Sequence, residues 1–222
     1  MTDDFYLLND RKNIWVSVSG GTDSALLLYF ITKYCYENKL KIKITPWTTV
    51  DLYRPGNDVA VEKIIDCIQE KYPYPYEKTI LNYYYKDPPF NKTYYTDKFW
   101  HEIKNSNVHD VFAYGITSSP PIDVMKNNPE FYTQFLNIDN DDRTPGRNLK
   151  TYKYSIDDNS FLSFAPFINF DKSYIAKKYE EEDLMDTIFP LTQSCIAKGK
   201  RPCYNCFWCM EKHWAFGLYD MS

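Results

Sequence analysis

Several things are scarce in this chain, and each scarcity narrows the reading. Glycine and proline contribute only 7 and 13 of its 222 residues, while 44% are hydrophobic, so the chain can bury a substantial core. No internal repeat or low-complexity tract interrupts it. Long apolar runs are missing: the longest, residues 25–31, falls far short of the ~20 residues a membrane-spanning helix needs. An excess of positive charge is missing too. The net charge of −4 and a pI near 5.4 argue against a protein that coats nucleic acid by charge alone, although a local basic site stays open. The first ten residues, MTDDFYLLND, show neither the basic nor the apolar region of a signal peptide. The expectation is therefore a cytoplasmic protein, in which the six cysteines are thiols or metal ligands and not disulfides. Aromatics are abundant, with 21 Tyr and 14 Phe, and read as core and half-buried positions.

Strand-like and helix-like segments alternate. Residues 13–18 (NIWVSV) suit a buried parallel strand, and 24–36 a helix with Leu27, Phe30 and Ile31 on one face. Residues 41–50 form a second strand despite Pro46. Residues 58–71 form the clearest amphipathic helix, with Val61, Ile64, Ile65 and Ile68 at helical spacing behind Asn57 as cap. Further strands are expected at 77–85, 110–116 and 161–167, and helices at 96–105 and 172–185. Residues 117–159, with Pro120, Pro121, Pro129 and Pro145, read as a long irregular excursion. The alternation predicts an α/β fold: a doubly wound, mostly parallel five-stranded sheet, Rossmann-like. We expect it to occupy residues 1–190, with a zinc-binding C-terminal segment at 191–222.

The turn from the first strand into the first helix reads Val18-Ser19-Gly20-Gly21-Thr22-Asp23-Ser24. Ligands of open α/β sheets bind at strand ends of this kind. Glycines there let backbone N–H groups approach an anion, and the helix start adds partial positive charge. No Gly-Lys-Ser/Thr follows, so this is not a Walker A loop; the glycines are adjacent, so it is not the dinucleotide fingerprint. A plain turn with a helix cap is the alternative. Near the other end, Cys195, Cys203, Cys206 and Cys209 are spaced C-x7-C-x2-C-x2-C. Four thiolates with no open position suit a structural zinc site, with an iron–sulfur cluster or a redox pair as the alternatives. Cys35 and Cys67 fall within helices and read as small buried residues.

SGGTDS resembles the PP-loop of ATP pyrophosphatases, an adenine-nucleotide α-hydrolase-like fold that cleaves ATP to AMP and pyrophosphate. Together with the cysteine spacing, with Lys172 soon after the fifth strand, and with Thr192-Gln193-Ser194-Cys195, it resembles the 7-cyano-7-deazaguanine synthase family in particular. The middle of the chain departs from that family. Val50-Asp51-Leu52-Tyr53-Arg54 keeps only the aspartate of the family's Asp-Tyr-Gly. Residues 114–120 lack the family's cysteine and acids, and Pro145-Gly146-Arg147-Asn148 stands after the fourth strand instead of before it.

The resemblance implies ATP as substrate with Mg²⁺, bound by residues 18–24 and by Asp51, and a structural Zn²⁺. Lys172 would neutralise charge at the α-phosphate, unless it is a solvated lysine at a helix start. Asp23 would hold the metal on pyrophosphate or orient the loop. Asp23→Ala is thus expected to abolish ATP cleavage while leaving the fold intact. Arg147 would clamp a carboxylate, unless PGRN is an ordinary turn. The implied reaction adenylates 7-carboxy-7-deazaguanine or a similar small acid and aminates it with ammonia to the amide or the nitrile (preQ0). The alternatives are amide formation alone, tRNA sulfur transfer, and a non-catalytic nucleotide-binding module. Neither a nucleic-acid nor a membrane partner is expected; a homodimer is compatible.

Overall fold

A computed structural model describes residues 2–51, 56–84, 110–137, 154–156, 162–197 and 202–221. The strands are β1 (Asn13–Ser17), β2 (Lys43–Asp51), β3 (Ile80–Tyr84), β4 (Val111–Tyr114), β5 (Tyr154–Ile156) and β6 (Leu162–Phe164). The helices are α1 (Thr22–Glu37), α2 (Asn57–Lys71), α3 (Ile122–Lys126), α4 (Pro129–Asn137), α5 (Lys172–Glu181) and α6 (Phe207–Phe216). All six strands form one sheet in the order β3-β2-β1-β4-β6-β5. The first five of that order run parallel, as the alternation of segments predicts. β5 is a correction: a sixth, antiparallel edge strand pairing with β6, drawn from the segment read as irregular. That same segment also contains α3 and α4. Prolines at 120, 121 and 129 obscure them in the sequence, yet Pro129 simply opens α4, where its missing N–H costs nothing.

β1 is the central strand. Its Ile14 and Val16 are fully buried toward α1, and Trp15 faces the other side. α1 is not a one-faced helix. Every residue from Thr22 to Thr32 is buried, because α2, α5 and the 3-10 turn Thr2–Leu8 surround it. An all-round apolar helix belongs inside a core, and here it is the hub of the main one. Phe5 of the 3-10 turn meets Phe164 edge-on at 5.4 Å and Phe30 at 6.2 Å. α2 is amphipathic as expected, burying Ala60, Val61, Ile64, Ile65 and Ile68. Cys35 is buried and its thiol is pushed up to about 12 by desolvation, which suits an inert core residue; Cys67 is only partly buried.

A second, smaller core holds the C-terminal helix. Phe207 of α6 packs at 5.4 Å from Phe131 and 6.0 Å from Phe135 of α4, over a buried Met125. α6 ends at Gly217, whose φ of 69° places it in the left-handed region as its N–H donates to His213 O at 2.8 Å. No described helix is long and apolar enough to cross a membrane. The expected helix at 96–105 lies outside the described residues.

Candidate nucleotide and metal sites

Strand order reverses between β1 and β4, which run on either side of the sheet's middle with their successors on opposite flanks. Such a switch point opens a crevice at the carboxyl ends of the strands. The stretch Val18–Ser24 lies there. Val18 still belongs to the sheet, its N–H donating to Trp47 O at 2.7 Å and its carbonyl accepting from the Thr48 hydroxyl. Gly20 then turns with φ +82°, a conformation that favours glycine.

The loop is braced by its own hydroxyls. Ser19 N–H donates to Ser24 Oγ at 3.0 Å, the two hydroxyls lie 3.1 Å apart, and Ser24 Oγ donates to Gly21 O at 3.2 Å. Two neighbours brace it from outside. Asn57 Nδ2 donates to Ser19 O at 3.1 Å, and Gln193 N–H donates to Gly20 O at 2.8 Å. Asn57 therefore corrects the sequence expectation: it is the first residue of α2, its side chain reaches the loop, and Gly56 is the cap. At the start of α1 no side chain caps the helix. The first amides of α1 have no intrahelical acceptor, so the helix start offers donors and partial positive charge to an anion.

Behind the loop lies a buried charge cluster. Lys172 Nζ sits 2.7 Å from each carboxylate oxygen of Asp23, and Asp23 also accepts from Thr22 Oγ1 at 3.2 Å and Thr117 Oγ1 at 3.3 Å. Lys172 and Asp23 are 4% and 7% exposed, so this is an interior pair and not a surface one. Glu211 of α6, fully buried, brings a second carboxylate to 3.6 Å from Lys172 Nζ. Each partner arrives from the end of a different strand: Asp23 after β1, Thr117 after β4, Lys172 after β6. Both Asp23 oxygens are engaged, and they hold the lysine. Lys172 is thus no solvated lysine at a helix start.

Gly115 is a site residue that the sequence reading missed. A β-carbon there would lie 2.6 Å from Asp23 O and 2.8 Å from Ser24 N, backbone atoms of the loop's far end. The chain leaving β4 passes flush against the start of α1, and only glycine leaves the room. Gly115→Ala is expected to destabilise the fold by about 1–3 kcal/mol, as overpacking does, and to displace the loop. Denaturant melts and nucleotide titration check both effects; a variant with unchanged melting and binding would show that the backbone yields freely.

The metal-ligand candidates converge. The Sγ atoms of Cys195, Cys203, Cys206 and Cys209 all lie within 4.8 Å of one another, with Cys203 and Cys209 at 3.9 Å. A tetrahedron built on metal–sulfur bonds of about 2.3 Å has edges of about 3.8 Å, so the residues fit a single ion. Hydrogen bonding from Cys209 draws the Cys206 thiol down to about 5, while Cys209 is held far above its usual range. Four thiols this close cannot all ionise without a cation.

The cysteine segment is tied to the loop. Asp220 accepts from Ser194 N–H at 2.9 and 2.8 Å and from Cys195 N–H at 2.7 Å. Lys212 of α6 pairs with Asp220 at 2.7 Å and donates to Thr192 Oγ1 at 2.9 Å, burial lowering its pKa against the carboxylate's opposing pull. Of the remaining sequence candidates, Asp51 ends β2 at the same carboxyl edge, with only its backbone described. Arg147 lies outside the described residues.

Against known proteins, no family model and no curated protein matches this chain. Among solved structures, the U34-tRNA thiolase NcsA from Methanococcus maripaludis with its 4Fe-4S cluster is similar over 95% of this chain and 67% of its own, at 15% identity and a TM-score of 0.47. A likeness of that degree speaks neither for nor against thiolase chemistry here. Strand order and register establish the fold on their own.

Proposed function

We propose that this protein is an ATP-dependent, adenylate-forming ligase acting on a small carboxylic acid, 7-carboxy-7-deazaguanine or a close relative, with ammonia as the nucleophile. The observation that carries the reading is the meeting of Asp23, in the complete SGGTDS loop, with Lys172, 149 residues away, behind a helix start free of any side-chain cap. A carboxylate oxygen is a poor leaving group. Its attack on the α-phosphorus of ATP makes it part of an acyl adenylate and releases pyrophosphate. Ammonia then adds at the acyl carbon, AMP departs and the amide remains. A second round at the amide oxygen, with loss of AMP and a proton, leaves the nitrile.

In this reading the amides at Gly21 and the first turn of α1, with Ser19, hold the pyrophosphate end. Lys172 offsets charge developing at the α-phosphate. Asp23 sets where that lysine stands. Mg²⁺ accompanies the nucleotide. Asp51 remains a candidate for the ribose or adenine, and Arg147 for the substrate carboxylate. We assign zinc to the four cysteines; the single-ion spacing of the sulfurs supports it, because the cysteines of an iron–sulfur cluster are spread over two or four irons and so do not all stand this close. A closed thiolate set leaves no position for water, so that zinc would be structural.

The test is incubation with ATP, Mg²⁺, ammonium and 7-carboxy-7-deazaguanine, followed by mass spectrometry. Nitrile with AMP and pyrophosphate is the expected result. Amide alone would shorten the reaction by one round. No deazaguanine product, but AMP formed on tRNA with a sulfur donor, would move the enzyme to thiolation. Tight ATP binding without pyrophosphate release on any acid or RNA would leave a nucleotide-binding module.

A further inference from the structure

Ser194 occupies the short stretch between the 3-10 turn Phe189–Leu191 and the first metal-ligand cysteine. Its backbone has little freedom. Gln193 N–H, one residue before, is bonded to Gly20 O at 2.8 Å. Its own N–H and that of Cys195 are bonded to Asp220, which Lys212 holds in turn. The side chain is therefore delivered to a set place, and that place is the phosphate loop. A β-carbon at Gly21 would stand 3.5 Å from Ser19 Oγ and 3.9 Å from Ser194 Oγ. The two hydroxyls, with Gln193 O also at 3.9 Å, thus lie beside the position that a side chain on Gly21 would take.

The Ser194 hydroxyl is buried, yet it has no hydrogen-bond partner among the described residues. Buried hydroxyls in that state are rare, because burial removes the water that would otherwise satisfy them. The neighbouring loop groups bond elsewhere: Ser19 and Ser24 are engaged with each other, and the Gly20 carbonyl accepts from Gln193. What such a hydroxyl lacks is an acceptor, which a ligand seated beside Gly21 would bring.

We propose that Ser194 is a phosphate-binding residue, whose hydroxyl donates to a phosphate oxygen of the nucleotide seated against Gly21, opposite Ser19. The inference rests on the ATP-cleaving reading and extends it. One wall of the phosphate site comes from the cysteine-bearing end of the chain, not from the loop itself.

The experiment compares wild type with Ser194→Ala by thermal melting, metal analysis and calorimetric titration with inorganic pyrophosphate and a non-hydrolysable ATP analogue. Without ligand the variant is expected to melt at or above wild type, because it loses an unsatisfied buried hydroxyl. It should keep its metal, and its affinity for pyrophosphate should fall about tenfold or more, the loss of one hydrogen bond to a charged group. Wild-type affinity in the variant overturns the inference and leaves the ATP reading standing. A lower ligand-free melting temperature overturns it too, since the hydroxyl would then be supporting the fold. A wild type that binds neither ligand removes the ATP reading, and this inference with it.

Discussion

Lys172→Met is expected to abolish AMP and pyrophosphate formation and also to lower stability by about 3–5 kcal/mol, the cost of leaving one charge of a buried pair uncompensated. The stability half follows from the geometry, and the activity half from the proposed reaction. Asp23 is 7% exposed and its two oxygens are held by Lys172 at 2.7 Å each. Removing the ammonium leaves a carboxylate with two hydroxyl donors and, nearby, the second carboxylate of Glu211. Asp23→Ala should destabilise for the mirror reason, against the sequence expectation of an intact fold. The double change Asp23→Asn with Lys172→Met separates folding from chemistry. It removes both charges of that pair but leaves the buried Glu211 carboxylate without Lys172, so only part of the stability should return; the cation for the α-phosphate does not return, so activity should stay absent. Denaturant melts and a pyrophosphate-release assay on all three variants read the outcome. Recovery of turnover in the double variant would reduce Lys172 to a structural partner.

Cys206→Ser should have an effect of similar size at a distance from the loop. Replacing one of four converging thiols is expected to drop the metal content from about one zinc per chain toward zero. Stability should fall by more than the 4–5 kcal/mol that marks exceptional single substitutions. The same variant should bind nucleotide weakly. α6 carries Cys209, Glu211 and Lys212 within a single turn, so loosening its cysteine end disturbs the carboxylate near Lys172 and the Lys212–Asp220 pair that fixes residues 192–195. Metal analysis, melting and titration with a non-hydrolysable ATP analogue test each link. Iron and visible absorbance in the wild type would replace zinc with a cluster. A metal-free variant that still binds the analogue at full affinity would disconnect the two sites.

The sequence alone carried the parts whose signal is local. β1, α1 and α2 are legible because period-2 and period-3.6 patterns depend on neighbours within a few residues. SGGTDS is legible as the turn from β1 into α1, because small residues with a glycine at positive φ end a strand and begin a helix within a few positions. The cysteine quartet is legible because thiols converge on an ion only at restricted spacings, and its Sγ atoms do lie within 4.8 Å. What stayed hidden is what the chain's return through space creates. α3 and α4 were masked by prolines, of which Pro121 caps α3 and Pro129 opens α4, and β5 is only three residues long. Asn57 looked like a cap, because an asparagine before an apolar periodic run usually is one; packing of α2 against the loop redirected its amide to Ser19 O.

Gly115, Thr117 and Glu211 carry no motif, and Ser194 entered the sequence reading only as part of Thr192-Gln193-Ser194-Cys195, with no role of its own. Their roles arise only where the end of β4, the stretch after Phe189–Leu191 and the helix α6 close on the start of α1. Local pattern determined which residues could handle a phosphate and a metal. Tertiary structure decided that Asp23 spends its charge on Lys172, and that the cysteine end of the chain is a wall of the loop. The reason is physical: hydrogen-bond and ion-pair partners are fixed by distance in space, and 149 residues of chain separate the most consequential pair.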